Sequence, residues 1–448
     1  EVADESIWFD LADEYGATDF LGYDTNTSEG QILALLQDGN LVDKVSEGDE
    51  VMVVLNQTPF YAESGGQIAD NGFISIEKNK INITDVKKKA GIFIHIGKVV
   101  SGEISSGASA ELFVNDVIRS GICNSHTATH LLNEALRTQL GDHIAQRGSL
   151  NAENRLRFDF SHSKSMTQSE LREVELEVNN LIRQNSTVET RIMTPDDARK
   201  LGAQALFGEK YGDEVRVVSM GIKKDSGKGL TGNTYSLELC GGTHVQRTGQ
   251  IGAFALIGES ASAGGVRRIE AFTGKTAELY HAEQTRILNE LASIFKTKSE
   301  NVIDRVKSLL DERKLLQSEI IDLRKAVAMG SNDEAQNVIK VNNFNFYVQT
   351  FDDLPSKDLR SLVDEHKNRL GSAVILLISG AGGKAAISVG VTSDLVDKVN
   401  AVDLVKIAAI ELGGKGGGGR PDMAQAGGND MSNAKKAISL IEKYLKEL

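Results

Sequence analysis

Asn124–Leu132 reads N-S-H-T-A-T-H-L-L. Imidazoles four residues apart stand one above the other on a helix, because about 3.6 residues complete a turn. His126 and His130 could therefore hold one metal ion between them. Ser125 is placed to cap the helix start. At roughly 100° per residue, Ala128, Leu131, Leu132, Ala135 and Leu136 make an apolar stripe on the side away from the histidines. The stripe calls for a core, and the rings are left facing water or a cleft. A histidine pair at this spacing is more often a plain solvated pair, so a metal reading needs a second half.

The second half is Leu239-Cys240-Gly241-Gly242-Thr243-His244. A strand-like run, Thr234–Leu239, ends in a thiol, a glycine turn and another imidazole. Cys240 and His244 could meet the same ion, giving a set of two histidines and a cysteine, with His244 as a fourth donor. Catalytic zinc commonly keeps three protein ligands and one open position. Read blandly, Cys240 is a small buried hydrophobe and the glycines an ordinary turn. The two halves together point to a site.

The bulk properties set limits. A chain of 448 residues is expected to hold two to four domains. Two cysteines, Cys123 and Cys240, build no disulfide framework and suit a reducing, cytoplasmic compartment. The longest apolar run, Ala373–Ile378, is far too short for a bilayer, so no membrane partner is expected. No basic, apolar leader opens the chain, and residue 1 is Glu rather than Met, which reads as a piece of something longer. A net charge of −13 argues against nonspecific nucleic-acid binding, which rests on neutralising phosphates. Transfer RNA stays open, because it can be recognised by shape and a few local contacts.

Outward from the histidines, the chain divides by pattern. Residues 1–19 are acidic and partly helical. Residues 20–114 read as short strands at Ile32–Leu36, Glu50–Leu55, Gly72–Ile76, Ile81–Val86 and Ile92–Val99, a small barrel. Residues 115–275 hold both metal half-sites in an α+β pattern. Residues 276–330 read as two helices, the second with a heptad seam at Val302, Val306, Leu309, Leu316, Ile320, Leu323 and Val327. Polar Lys296–Asn301 breaks the pattern and favours an antiparallel hairpin. Residues 331–448 alternate strands and helices, a compact α/β domain. Near its end, Gly413–Gly428 reads G-G-K-G-G-G-G-R-P-D-M-A-Q-A-G-G. Lys415 lacks the G-x-x-x-x-G-K-[ST] frame of a P-loop. Set against a flexible linker, the embedded Lys415, Arg420, Asp422 and Gln425 favour a backbone-rich surface for RNA. The fold class expected is α+β.

S-H-T-A-T-H-L-L followed by C-G-G-T-H resembles the editing domain of alanyl-tRNA synthetase. Thr58–Gly72 (T-P-F-Y-A-E-S-G-G-Q-I-A-D-N-G), Gln146–Leu150 (Q-R-G-S-L) and Gly264–Gly274 (G-G-V-R-R-I-E-A-F-T-G) agree with it. The glycine-rich run looks like that family's C-terminal domain. The resemblance covers about Phe20 to the C-terminus and leaves no region for the aminoacylation core, which would precede residue 1. It implies Zn2+ on His126, His130, Cys240 and His244, and hydrolysis of mischarged Ser-tRNA(Ala) or Gly-tRNA(Ala). It also implies a terminal domain turned to the bend of tRNA(Ala).

Thr127 and Thr129, to either side of the histidine face, are candidates for reading the serine hydroxyl. A site that hydrogen-bonds that hydroxyl can reject alanine by roughly 10⁴-fold or more. Gln146 matches the family's polar pocket residue. Arg267 and Arg268, with Lys415 and Arg420, are the candidate tRNA contacts. Strand alternation allows one of the two adjacent arginines to meet the tRNA end. Gly65-Gly66 looks like a loop beside the pocket. Cys123 reads as packing, and Asn124 departs from the family's basic residue there. The hairpin or the terminal domain could support a homodimer. Two other classes compete: a zinc hydrolase of small esters or phosphates, and a noncatalytic tRNA-binding module with a closed, structural metal.

Overall fold

The computed structural model describes residues 3–204, 212–223, 227–329, 337–352, 354–380 and 383–448. These fall into two compact units, Glu1–Glu290 and Leu291–Leu448. The fold is α+β.

In the first unit, six strands close on themselves in antiparallel pairs. In order around the barrel they are Ser109–Val114, Gly72–Ile76, Asn79–Lys89, Ile92–Ser101, Glu50–Leu55 and Thr27–Gln37, which returns to the first. Alternate residues point inward, and Ile32, Leu35, Val53, Leu55, Ile74, Ile81 and Leu112 fill the interior. The helix Ala3–Tyr15 lays Trp8 and Leu11 on the barrel's outside, against Ala34, Val54, Ile92 and Ile94.

The His helix spans Asp116–Leu140. It begins more than two turns before the expected cap: Asn115 Oδ1 accepts from the Ile118 amide at 3.3 Å. Ser125 is instead fully buried within the helix, its hydroxyl 3.1 Å from that of Thr273. The sequence Asp116–Cys123 contains nothing that breaks a helix until Gly121. That glycine lies within the helix where a Cβ would press on the Glu153 backbone, so the close approach excludes a larger residue. The apolar stripe packs as expected, with Ala128, Leu131, Leu132, Ala135 and Leu136 wholly buried against Val174 and Val178 of the helix Gln168–Gln184. Two antiparallel sheets complete the unit. One orders Gln146–Asn151, Leu156–Ser161, Val266–Thr273 and Phe254–Ala263; the other Glu189–Met193, Val215–Ile222 and Thr234–Leu239.

A buried ion pair joins the barrel to the His helix. Arg119 donates Nε to Asp70 Oδ1 (2.8 Å) and Nη2 to Oδ2 of the same carboxylate and to the Pro59 carbonyl (2.7 Å). Its Nη1 reaches the Gly22 carbonyl at 2.9 Å.

In the second unit, six strands run in the order Val338–Val341, Phe344–Phe351, Ala373–Ser379, Ala385–Val391, Met423–Gly428 and Gly417–Arg420. The apolar run Ala373–Ile378 is a wholly buried central strand. Helix Ser356–Leu370 contributes to one core cluster, and Ala401–Glu411 with Ala434–Lys446 to another. The glycine-rich run forms two paired strands with Lys415 exposed just before them. Its glycines are needed for packing: a Cβ on Gly417 would lie 2.8 Å from Val405 Cγ1 of the helix Ala401–Glu411. The heptad positions Leu316, Ile320, Leu323 and Val327 on helix Val302–Met329 are exposed.

Candidate metal centre

Four donor atoms, one each from His126, His130, Cys240 and His244, lie within 4.8 Å of one another. The helix supplies two, and the turn after strand Thr234–Leu239 supplies the thiol and the third imidazole. The Cys240 Sγ is 3.4 Å from His126 Nε2 and 3.3 Å from His244 Nε2. Zinc bonds of ~2.1 Å to nitrogen and ~2.3 Å to sulfur set tetrahedral edges of ~3.6 Å. The two edges at Cys240 are close to that value, and the whole set lies within 4.8 Å.

Each ring has its other nitrogen tied to an outer partner, and the partners fix the tautomers. His126 Nδ1 donates to Gln67 Oε1 at 2.8 Å. His130 Nδ1 donates to Glu238 Oε2 at 2.6 Å, and Glu238 is itself held by Asn133 Nδ2 at 3.0 Å. His244 Nδ1 meets Thr127 Oγ1 at 3.2 Å. Because the Thr127 hydroxyl gives its proton to the Cys123 carbonyl (2.7 Å), it accepts from His244. All three Nε2 lone pairs therefore face the centre, and His130 Nε2 is buried without a hydrogen-bond partner. A buried orphan acceptor costs free energy unless something donates to it or binds it.

The electrostatics agree. Burial alone raises the Cys240 thiol, but the imidazoles of His126, His244 and His130 outweigh it and hold the group well below the usual thiol range. The Gly242 amide, 3.4 Å away, donates to the same sulfur. Burial would keep His130 neutral; Glu238 and Cys240 overcome it and push its pKa up to about 10, so the ring holds an Nε2 proton that a cation would displace to use that lone pair. For His244 burial wins, and its pKa falls to about 3. A thiolate and a carboxylate beside three imidazoles make a donor set matched to a divalent cation.

The turn is shaped around this set. A Cβ on Gly242 would collide with the His126 ring and stand 2.7 Å from Gln67 Oε1. Its three successive carbonyls are each held: Arg216 Nη1 donates to Cys240 O (3.0 Å) and Gly242 O (2.8 Å), and Tyr23 Oη to Gly241 O (2.7 Å). The Arg216 guanidinium lies over the Tyr23 ring, 4.1 Å from its centroid.

A cleft of about 290 Å³ opens beside the donors, lined by Tyr61, Thr129, Gln146, Ser149 and Arg216 among others. Thr129 thus borders the cleft. Its Oγ1 lies 2.9 Å from the Ser125 carbonyl and 2.6 Å from Asn151 Oδ1. Thr127 does not border it; its hydroxyl is engaged with Cys123, His244 and the Val245 amide. Gln146 borders it, with Nε2 3.1 Å from Ser149 Oγ. Arg267 is paired with Glu259 and Arg268 with Asp159 (2.7 and 2.8 Å), both away from the cleft lining. In the second unit Lys415 is exposed and Arg420 pairs with Asp422 at 3.1 Å. Cys123 packs in the core and donates to Thr243 Oγ1 at 3.2 Å.

Gln67, Glu238 and Arg216 were not singled out from the sequence. Glu238 carried a signal: Ser236, Glu238 and Cys240 alternate with Tyr235, Leu237 and Leu239, so the polar trio shares one strand face.

The chain is similar to known proteins along most of its length. Residues 3–117 match the model of class II (A) tRNA synthetases, 215–270 the threonyl and alanyl tRNA synthetase second additional domain, and 343–447 the DHHA1 domain. Alanine–tRNA ligase of Jannaschia sp. (strain CCS1) is 57% identical over 98% of this chain and 50% of its own length. That of Dinoroseobacter shibae is 58% identical, again over 98% and 50%. The chain belongs to the alanyl-tRNA synthetase family. It spans about half the length of the curated relatives it matches. The second additional domain matched at 215–270 includes Cys240, His244, Glu238 and Arg216. A solved C-Ala domain from Aquifex aeolicus alanyl-tRNA synthetase shares 31% identity over 24% of this chain and 97% of that one, with a TM-score of 0.24. Among the described residues no helix is long and apolar enough to cross a membrane.

Proposed function

We propose that this chain removes the wrong amino acid from tRNA(Ala), hydrolysing the ester of Ser-tRNA(Ala) or Gly-tRNA(Ala) at a zinc centre. The whole alanyl-tRNA synthetase would join alanine to tRNA(Ala) with ATP. One observation carries the reading: three imidazole nitrogens and a thiol converge at the wall of a cleft that Thr129 also lines.

His126, His130, Cys240 and His244 would hold Zn2+, and a bound zinc supplies Lewis-acid polarisation of the ester carbonyl. The chain's own residues select the substrate. The Thr129 proton is directed inward to Ser125 O or Asn151 Oδ1, which leaves oxygen lone pairs to accept from a serine hydroxyl. Alanine offers no donor there. Thr127 keeps the His244 ring in register, and the Gln146 amide faces the amino acid or the terminal ribose. Lys415, and, once their carboxylate partners yield, Arg420 and one of Arg267 and Arg268, would contact tRNA, and the two free cysteines suit the cytoplasm.

Deacylation of seryl-, glycyl- and alanyl-tRNA(Ala) by the zinc-loaded chain tests this. The first two esters are expected to be lost and the third to persist; equal loss of seryl and alanyl esters refutes the selectivity. The presence of four protein donors favours one second reading, a structural metal in a tRNA-binding module. Normal tRNA affinity with no loss of any ester would establish it.

A further inference from the structure

We infer that Gln67, contributed by the barrel, is a positioning residue of the metal centre. The inference rests on the zinc reading above.

Gln67 is wholly buried, and its one amide reaches both halves of the donor set. Oε1 accepts from His126 Nδ1 at 2.8 Å and from the Thr243 amide at 2.9 Å; Nε2 donates to Thr243 Oγ1 at 2.9 Å. The orientation of this amide is fixed chemically, because the Thr243 N–H can only donate. The acceptor next to His126 therefore forces its proton onto Nδ1 and leaves Nε2 bare toward Cys240. The same oxygen fixes the backbone three residues past the cysteine.

The barrel loop is built to deliver this group. Ser64 and Gln67 close a tight turn through mutual amide–carbonyl bonds of 3.2 and 2.9 Å. Its two central residues, Gly65 and Gly66, have φ of +59° and +79°, a turn that glycine adopts without strain. A Cβ on Gly66 would stand 2.7 Å from the Ser149 carbonyl, so the loop lies directly on the strand Gln146–Asn151. The Asn151 amide donates to Gly66 O at 2.7 Å and the Ile68 amide to Asn151 O at 3.2 Å, pinning both ends of the segment that carries Gln67. The barrel is thus part of the centre and not an appendage to it.

Partners of this kind orient metal-bound imidazoles, and their loss typically weakens affinity 10–100-fold. The test measures zinc affinity of the full chain by chelator competition, and the visible spectrum of its cobalt form. Gln67→Leu is expected to bind zinc about 10–100-fold more weakly and to alter the cobalt bands. Gln67→Glu, which keeps an acceptor for His126 and for Thr243 N–H, is expected to stay within about threefold of the parent. Should the leucine variant not fold, Gln67→Asn, polar but one methylene short of His126, is expected to show the same loss. Metal-free unfolding of each variant supplies the control: a packing role lowers that stability and leaves zinc affinity of the folded protein unmoved. Gln67→Leu or Gln67→Asn binding zinc as tightly as the parent overturns the inference. A parent chain that takes up neither zinc nor cobalt overturns the zinc reading itself.

Discussion

Replacing Arg119 with alanine should loosen the barrel from the His helix. Arg119 is 4% exposed and Asp70 0%. Without the guanidinium, the buried carboxylate keeps the Tyr61 amide (2.6 Å) as a donor, while the Pro59 and Gly22 carbonyls lose theirs. Breaking a buried pair from one side costs about 3–5 kcal/mol, because the remaining charge is uncompensated. The Tyr61 amide holds the loss near the lower end, about 3 kcal/mol, or roughly a 150-fold shift in the folding equilibrium. That is a large part of a typical domain's 5–15 kcal/mol. The chain's only tryptophan, Trp8, packs on the barrel, so its fluorescence in a urea titration reports that part of the unit. Joint replacement of Asp70 by leucine and Arg119 by methionine removes the stranded charge and should restore about half of the loss, the rest reflecting the carbonyls left without donors. A single variant within 1 kcal/mol of the parent, or a double variant no better than the single, would refute the reasoning.

Gly242→Ala places a methyl against the His126 ring and Gln67 Oε1, so zinc affinity should fall by at least about tenfold while the secondary structure seen by circular dichroism is retained. Thr129→Val removes the cleft hydroxyl; the ratio of seryl- to alanyl-tRNA deacylation rates should drop by about 10–100-fold. His95 lies inside the barrel, accepting from Thr58 Oγ1 at 2.7 Å while Nδ1 donates to Val53 O at 3.1 Å. Burial lowers its pKa to about 4, against 6.5 when unfolded. The unfolded chain then gains the proton first, so stability is full above pH ~6.5 and declines as pH falls toward 4, by up to about 3 kcal/mol. Urea midpoints of parent and His95→Gln between these pH values should converge; parallel curves would show that His95 contributes nothing.

Much of this was legible in the chain. Runs of β-formers between Ile32 and Val99 gave five of the six barrel strands, the closing strand Ser109–Val114 not being named, and the stripe Ala128–Leu136 gave the buried face of the His helix. Residue type and spacing pointed to His126, His130 and Cys240 and left His244 open as a fourth donor; the resemblance completed the set, and the four side chains do lie together. What escaped was set by tertiary context. Gln67 is one of many glutamines until a glycine turn aims it at His126. Arg216 shows its role only once the carbonyls of Cys240 and Gly242 curl toward it. The heptad at Leu316–Val327 spells a seam, but spacing does not say what covers it, and these side chains stand in solvent. A flexible linker competes for the run Gly413–Gly428 because glycine disfavours strands, yet the run pairs as two strands, and at Gly417 the helix Ala401–Glu411 packs so closely that no side chain fits.

The sequence distance between Gln67 and Thr243 is 176 residues. At about 5–20 residues per second of translation, a ribosome needs roughly 10–35 s to pass from one to the other. For the later part of that interval, from His130 to Cys240, the nascent His helix has its imidazoles without the thiol, and any cation there would be held by half a cage. A cation at this centre would therefore find its full donor set only once the second additional domain has been made.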